Sequence, residues 1–123
     1  MDYKLFIDDE RYPVTPDWFI ARNSYDAIYA VKNYGFPNEI AFDHDLGGQD
    51  TSMVFVKWLT DYMLDNDIKF PKGFIFSVHS MNPIGVEKIK NYMNNFIDEI
   101  GYMDYNNHKW DFINKGFWNE KIN

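Results

Sequence analysis

Four short apolar runs punctuate the chain: Leu5-Phe6-Ile7, Trp18-Phe19-Ile20-Ala21, Ile40-Ala41-Phe42 and Phe74-Ile75-Phe76. They are continuous rather than alternating, the pattern of strands covered on both faces. Helical periodicity follows the last three. Ala27, Ile28, Val31 and Tyr34 share one face after Asn23-Ser24, either of which can cap a helix. Val54, Trp58, Leu59 and Met63 do the same after Asp50-Thr51-Ser52. Val86, Ile89, Met93, Phe96, Ile97 and Ile100 form the longest stripe, opened by Asn82 as N-cap with Pro83 at the first helical position. Strands alternating with helices predict an α/β domain on a mostly parallel sheet of four or five strands.

The first connection breaks this rhythm. Pro13 and Pro16 interrupt the segment between Asp8 and Asp17, which is too short for a crossover helix. Residues 9–16 reach about 26 Å extended, at ~3.3 Å each, against ~17 Å for a typical strand. An extended return to a parallel second strand is therefore possible, with antiparallel pairing as the alternative. In the parallel case the first crossover helix is missing and one sheet face lacks its cover.

No Gly/Ser/Pro-rich linker, repeat or block of like charge divides the chain, so residues 1–123 read as one domain. Composition adds three constraints. A net charge of −7 argues against general DNA binding and acidic membranes, because a polyanion requires a basic face. The absence of Cys removes disulfides, thiolate metal sites and a Cys nucleophile. The start, Met1-Asp2-Tyr3-Lys4, lacks a signal peptide's basic and apolar regions, and no run approaches a membrane span, so a cytoplasmic location is expected. The abundance of Asn, Tyr, Lys, Ile and Phe hints at an AT-rich coding genome, phage or bacterial.

Polar residues collect where strands end. Asp8 and Asp9 follow the first run, Asp43-His44-Asp45 the third, and Ser77, His79 and Ser80 close the fourth. Ligands of open parallel α/β sheets bind outside the carboxyl ends of the strands. Crowded carboxylates repel one another unless a hard cation takes their oxygens, so the pattern points to a divalent-cation and phosphate site. Asp43 and Asp45 point the same way in extended chain while His44 points opposite, which marks His44 as structural or as a partner for the loop. The turn Ser80-Met81-Asn82-Pro83-Ile84-Gly85 at a helix N-terminus suits a phosphate cradle, although Asn82-Pro83 also suits plain capping. Arg11 could hold a phosphate with its planar fork, or pair with Glu10 or Asp9.

The order Leu5-Phe6-Ile7-Asp8-Asp9, Ile40-Ala41-Phe42-Asp43, Phe74-Ile75-Phe76-Ser77 resembles the receiver domain of two-component signalling, a flavodoxin-like fold. On that match Asp8 and Asp9 take the acidic pair, Asp43 the phosphoacceptor and Ser77 the hydroxyl position. The first helix is absent, however, and Lys109 lies in Asn-Asn-His-Lys-Trp rather than after an apolar fifth strand. A narrower resemblance accommodates those departures. Asp8-Asp9-Glu10-Arg11-Tyr12-Pro13, Phe42-Asp43-His44-Asp45-Leu46-Gly47 and Val78-His79-Ser80-Met81-Asn82-Pro83-Ile84-Gly85 look like the cyclic-phosphate-processing receiver-like domain of bacteria and phages, over roughly residues 3 to 97. The resemblance implies processing of cyclic phosphates such as RNA 2′,3′-cyclic ends.

Three functions compete. A metal-assisted phosphoesterase would hold Mg²⁺ or Mn²⁺ on Asp8, Asp9 and Asp43. Asp45 would activate water or complete the metal site, and His79 would protonate the leaving oxygen. Arg11, Ser77, Ser80 and Asn82 would bind the phosphate. A non-catalytic sensor would bind a small phosphorylated or cyclic-phosphate ligand, RNA ends included, and signal through an unspecified protein contact. An aspartyl-phosphate mechanism at Asp43 ranks last for want of a supporting Lys. The aromatic segment 102–123 is expected to pack on the uncovered sheet face, as a helix built on Trp110, Ile113 and Phe117 or as a fifth strand.

Overall fold

The computed structural model describes residues 2–103. Each apolar run lies in or against a strand: β1 (Lys4–Ile7), β2 (Trp18–Ala21), β3 (Glu39–Phe42) and β4 (Ile75–Val78). The three amphipathic stretches form α1 (Ser24–Tyr34), α2 (Ser52–Asp65) and α3 (Pro83–Ile100). All strand pairs are parallel, in the order β2-β1-β3-β4, which gives an α/β receiver-like fold. Residues 8–17 carry β1 to β2 without a helix, so the bare parallel return is the one adopted. No helix among the described residues is long and apolar enough to cross a membrane.

Local chemistry sets the helix starts. The Asn23 side chain accepts from the Asp26 amide and the Asn82 side chain from the Gly85 amide, so both caps act as the sequence suggests. Thr51 opens α2 without a side-chain cap bond. Instead Gly47 and Gly48, at φ +91° and +57°, turn the chain back on itself so that Asp45 bridges Thr51. Those left-handed angles strain any residue with a Cβ, which accounts for the glycine pair.

The main core lies on one side of the sheet. Leu5, Ile7, Ile40 and Phe42 pack there against Ala27, Ala30 and Val31 of α1, Phe55, Val56, Leu59 and Met63 of α2, and Ile89 and Met93 of α3. Phe6 and Ala41, on the opposite face, are buried but stand outside that cluster. Coverage on both faces therefore holds for the central strands β1 and β3 and fails at the edges, where Ile75 is 58% exposed. Phe74 precedes β4 and turns into the core against Phe36 and Phe70, with ring centroids 5.6 and 5.0 Å away. The expected α2 stripe also shifts. Val54 faces out and Met53, Phe55 and Val56 face in, because α2 sits between α1 and α3 and buries a wider arc.

The end of α3 is tied down. Gly101 closes the helix, and Phe70 donates its amide to the Gly101 carbonyl while Met103 donates to Phe70 at 2.7 Å. Tyr102 and Met103, the first residues of the aromatic segment, thus dock beside Phe70. The rest of that segment, with Trp110, Ile113 and Phe117, lies outside the described residues, as do His108 and Lys109.

Candidate functional site

Register alone brings the strand-end residues together. The Asp8 amide donates to Ala21, the Asp43 amide to Ile7 and the His79 amide to Phe42, at 3.0, 2.8 and 2.8 Å. These bonds set Asp8, Asp43 and His79 in one row across β1, β3 and β4. The two-residue period then puts their side chains on the face shared by Phe6, Ala41 and Ser77, away from the helices.

Asp8 is the centre of the site, fully buried at 0% exposure. One carboxylate oxygen accepts the amides of Glu10 (3.0 Å) and Arg11 (2.8 Å). The other accepts Arg11 Nε at 2.9 Å and His79 Nε2 at 3.0 Å. Four acceptor positions are thereby used, about the full capacity of a carboxylate. Burial pushes the Asp8 carboxyl pKa up, but the Arg11 and Glu10 amides, His79 and the guanidinium outweigh it and hold the pKa below its ordinary value. Asp8 is therefore an anion and accepts only, so Nε2 of His79 carries the hydrogen. The His79 ring lies flat on Phe6, with centroids 4.9 Å apart and planes 7° from parallel. Between their strands, Ala41 contributes only a methyl to the row Phe6-Ala41-Ser77, which leaves room for that stack.

Arg11 extends the network: its guanidinium also meets Asp43 at 3.4 Å. It pairs with Asp8 and Asp43 rather than with Glu10 or Asp9. Oxygens of Asp8, Asp9 and Asp43 approach within 4.8 Å of one another, a spacing that fits oxygen ligation of one hard cation. Next to them opens a cleft of about 380 Å³ lined by Asp9, Glu10, Arg11, Asp43, Asp45, Ser80, Met81 and Asn82. Four carboxylates face one guanidinium in that lining, so a phosphate would enter far more readily with a divalent cation than alone.

The outer wall is built by the start of α3. Asn82 uses its side-chain oxygen to cap the helix and its Nδ2 to donate to Asp45 Oδ2 at 3.2 Å. The other Asp45 oxygen meets His44 Nδ1 at 3.1 Å. These contacts, Asn82 first, hold the Asp45 carboxyl below its ordinary pKa although Asp45 is largely exposed. The His44 ring is wedged under Gly85, where any Cβ would overlap it. His44 is thus a structural partner of the loop, as its outward parity from Asp43 and Asp45 suggests. The Ser80 hydroxyl accepts the Asn82 amide at 3.1 Å within the cleft wall.

Ser77 falls elsewhere. It is exposed in the body of β4, in register with Ala41 and two residues short of His79; like Asp8 and His79 it does not line the cleft, but His79 is joined to the site through its bond to Asp8. The strand continues to Val78, so His79 and not Ser77 takes the strand-end position. Arg22 was missed. Its guanidinium donates to the carbonyls of Asp8 (3.0 Å) and Arg11 (2.6 Å) and lies 4.6 Å from the Tyr12 ring centroid. Its signal was the one that found the others, a polar residue directly after a strand. Phe6 was also missed as a platform, being indistinguishable in sequence from its core neighbours.

A four-stranded parallel sheet without its first crossover helix, with acidic residues after β1 and β3, defines a receiver-like module. The family of cyclic-phosphate processing receiver domains matches residues 3–95, and the chain belongs to that family. It is therefore a receiver-like module linked to cyclic-phosphate processing. No curated protein and no solved structure matches it.

Proposed function

We propose that the chain is a metal-assisted phosphoesterase that opens cyclic phosphates, RNA 2′,3′-cyclic ends or cyclic nucleotides. The observation that carries this reading is the convergence of the Asp8, Asp9 and Asp43 oxygens within 4.8 Å beside a histidine bonded to Asp8. Those three carboxylates would hold Mg²⁺ or Mn²⁺, which supplies Lewis-acid polarisation and an acidified water. Asp8 orients His79 through Nε2, so the proton delivered to the leaving oxygen sits on Nδ1. Ser80, Asn82 and the N-terminus of α3 receive the non-bridging oxygens. Asp45, whose two oxygens already meet Asn82 and His44, would orient a water or complete the cation site.

The test is turnover of 2′,3′-cyclic AMP with Mn²⁺. His79→Ala should lose roughly 10²–10⁴-fold in rate while keeping metal affinity, and should lose less on a p-nitrophenyl ester, whose leaving group needs little protonation. Equal losses on both substrates would reduce His79 to positioning. Asp43→Asn should lose the metal itself.

A second reading has its own support. Arg11 already neutralises Asp8 and Asp43, and every Asp8 acceptor position is filled by the protein. That suits a sensor which binds a cyclic phosphate without turning it over. Tight binding of 2′,3′-cyclic AMP with no product would select it.

A further inference from the structure

The same oxygens that would ligate a cation are held by Arg11. Its Nε sits 2.9 Å from Asp8 Oδ2 and its terminal nitrogen 3.4 Å from Asp43 Oδ2. Each carboxylate oxygen offers about two lone-pair positions, and both positions on Asp8 Oδ2 are taken, one by Arg11 and one by His79. A metal ion reaching Asp8 through that oxygen must therefore displace a protein donor. The two donors are not equally easy to move. The His79 ring is stacked on Phe6 and its backbone is bonded to Phe42. The Arg11 side chain is 46% exposed, on a helix-free loop, with solvent beside it to rehydrate the guanidinium.

We infer that Arg11 is an exchangeable internal cation: it holds Asp8 and Asp43 together until a divalent ion replaces it, and the released guanidinium then turns into the cleft it already lines to meet the phosphate. This rests on the proposed metal and phosphate site, and it adds an order to the events there. Exchange replaces one positive charge by two among the carboxylates, which favours the metal. It also frees a planar fork suited to phosphate oxygens at the moment the cation arrives. Metal and phosphate therefore assist one another through one side chain, and by linkage each tightens the other by the same factor. A fixed phosphate arginine and a purely structural arginine predict no such exchange.

The experiment follows Arg11 directly. In ¹⁵N-labelled protein, the Arg11 Nε–H signal should be protected by Asp8 without metal, then shift and exchange faster with solvent as Mg²⁺ is added. By calorimetry, Arg11→Gln should bind Mn²⁺ more tightly than wild type, on the order of fivefold or more, and should lose much of the Mn²⁺-dependent gain in inorganic phosphate affinity. Arg22→Gln controls for charge alone, since Arg22 holds backbone carbonyls of the same loop and no carboxylate of the site. Its Mn²⁺ affinity should not rise. Metal binding that leaves the Arg11 Nε–H signal unmoved would overturn the inference, as would equal tightening in both variants. Exchange without turnover of 2′,3′-cyclic AMP would retire the phosphoesterase reading and leave the exchange standing. Absence of Mg²⁺ and Mn²⁺ binding in wild type and Arg11→Gln alike would remove both.

Discussion

The two walls of the site, one behind the cleft and one lining it, are made of the same residue types and behave differently. On the inner wall Asp8 is wholly buried, accepts four hydrogen bonds and fixes His79 and Arg11 around itself. On the outer wall Asp45 has a side chain 62% exposed, with two contacts, from Asn82 and His44. A buried carboxylate survives only when every acceptor position is satisfied, so the inner wall keeps its geometry as long as the loop amides, His79 and Arg11, or a cation in the place of Arg11, fill those positions. An exposed one needs nothing from the protein and is available to a ligand. The inner wall sets geometry, and the outer wall can adjust.

That contrast is broken most severely at its centre. Asp8→Asn keeps the shape but removes the charge that Arg11 and His79 answer, and should lower stability by about 1.5–3 kcal/mol, the range for hydrogen bonds to charged groups. The folded pKa of Asp8 lies below its unfolded value. Its contribution is thus fully present above the unfolded carboxylate pKa of ~3.9 and is lost as pH falls through the folded value. Urea unfolding at pH 7 and at pH 3 should show Asp8→Asn less stable at neutral pH and the gap closing in acid. A gap that stays constant with pH would mean that Asp8 charge is not what holds the inner wall.

A smaller effect is expected where the two walls are joined. Gly85 lies against His44, and His44 against Asp45, so the start of α3 is seated on the loop after β3 by a close approach that only glycine permits. Gly85→Ala should destabilise by about 1–3 kcal/mol, the range for overpacking. The loss should shrink in the double variant with His44→Ala, which removes the obstructing ring. Additive losses would show that the contact does not set the position of α3.

Much of this was legible in the sequence, for identifiable reasons. Leu5, Ile40 and Phe42 announce strands because central strands bury both faces, and Asn23 and Asn82 announce helices because their caps are local chemistry. Asp8, Asp9, Asp43 and His79 could be placed together because strand ends of a parallel sheet share an edge. For Arg11 and Arg22 the failure lies in side-chain reach: a polar residue after a strand is visible in sequence, and the partner it reaches is not. Arg11 crosses to Asp8 and Asp43 instead of its neighbours, and Arg22 returns from β2 to the carbonyls of the first loop. Ser77 was placed by family position, whereas β4 runs one residue beyond it and hands the strand end to His79.

The smallest effect should come from the outer wall itself. Asp45→Asn can keep an oxygen for the Asn82 Nδ2 donor and turn its amide toward His44 Nδ1, at a site open to solvent, so stability should change by no more than about 0.5 kcal/mol. The lowered Asp45 pKa gives the same sign as for Asp8, a contribution present above the unfolded value and lost in acid, but solvent screening makes it slight. What should change is binding. Removing one of the carboxylates that line the cleft lowers the repulsion met by an anion, so inorganic phosphate without metal should bind Asp45→Asn more tightly than wild type, and the difference should fade as salt is raised. If Asp45→Asn instead costs as much stability as Asp8→Asn, the outer wall is as rigid as the inner one and the contrast between them disappears.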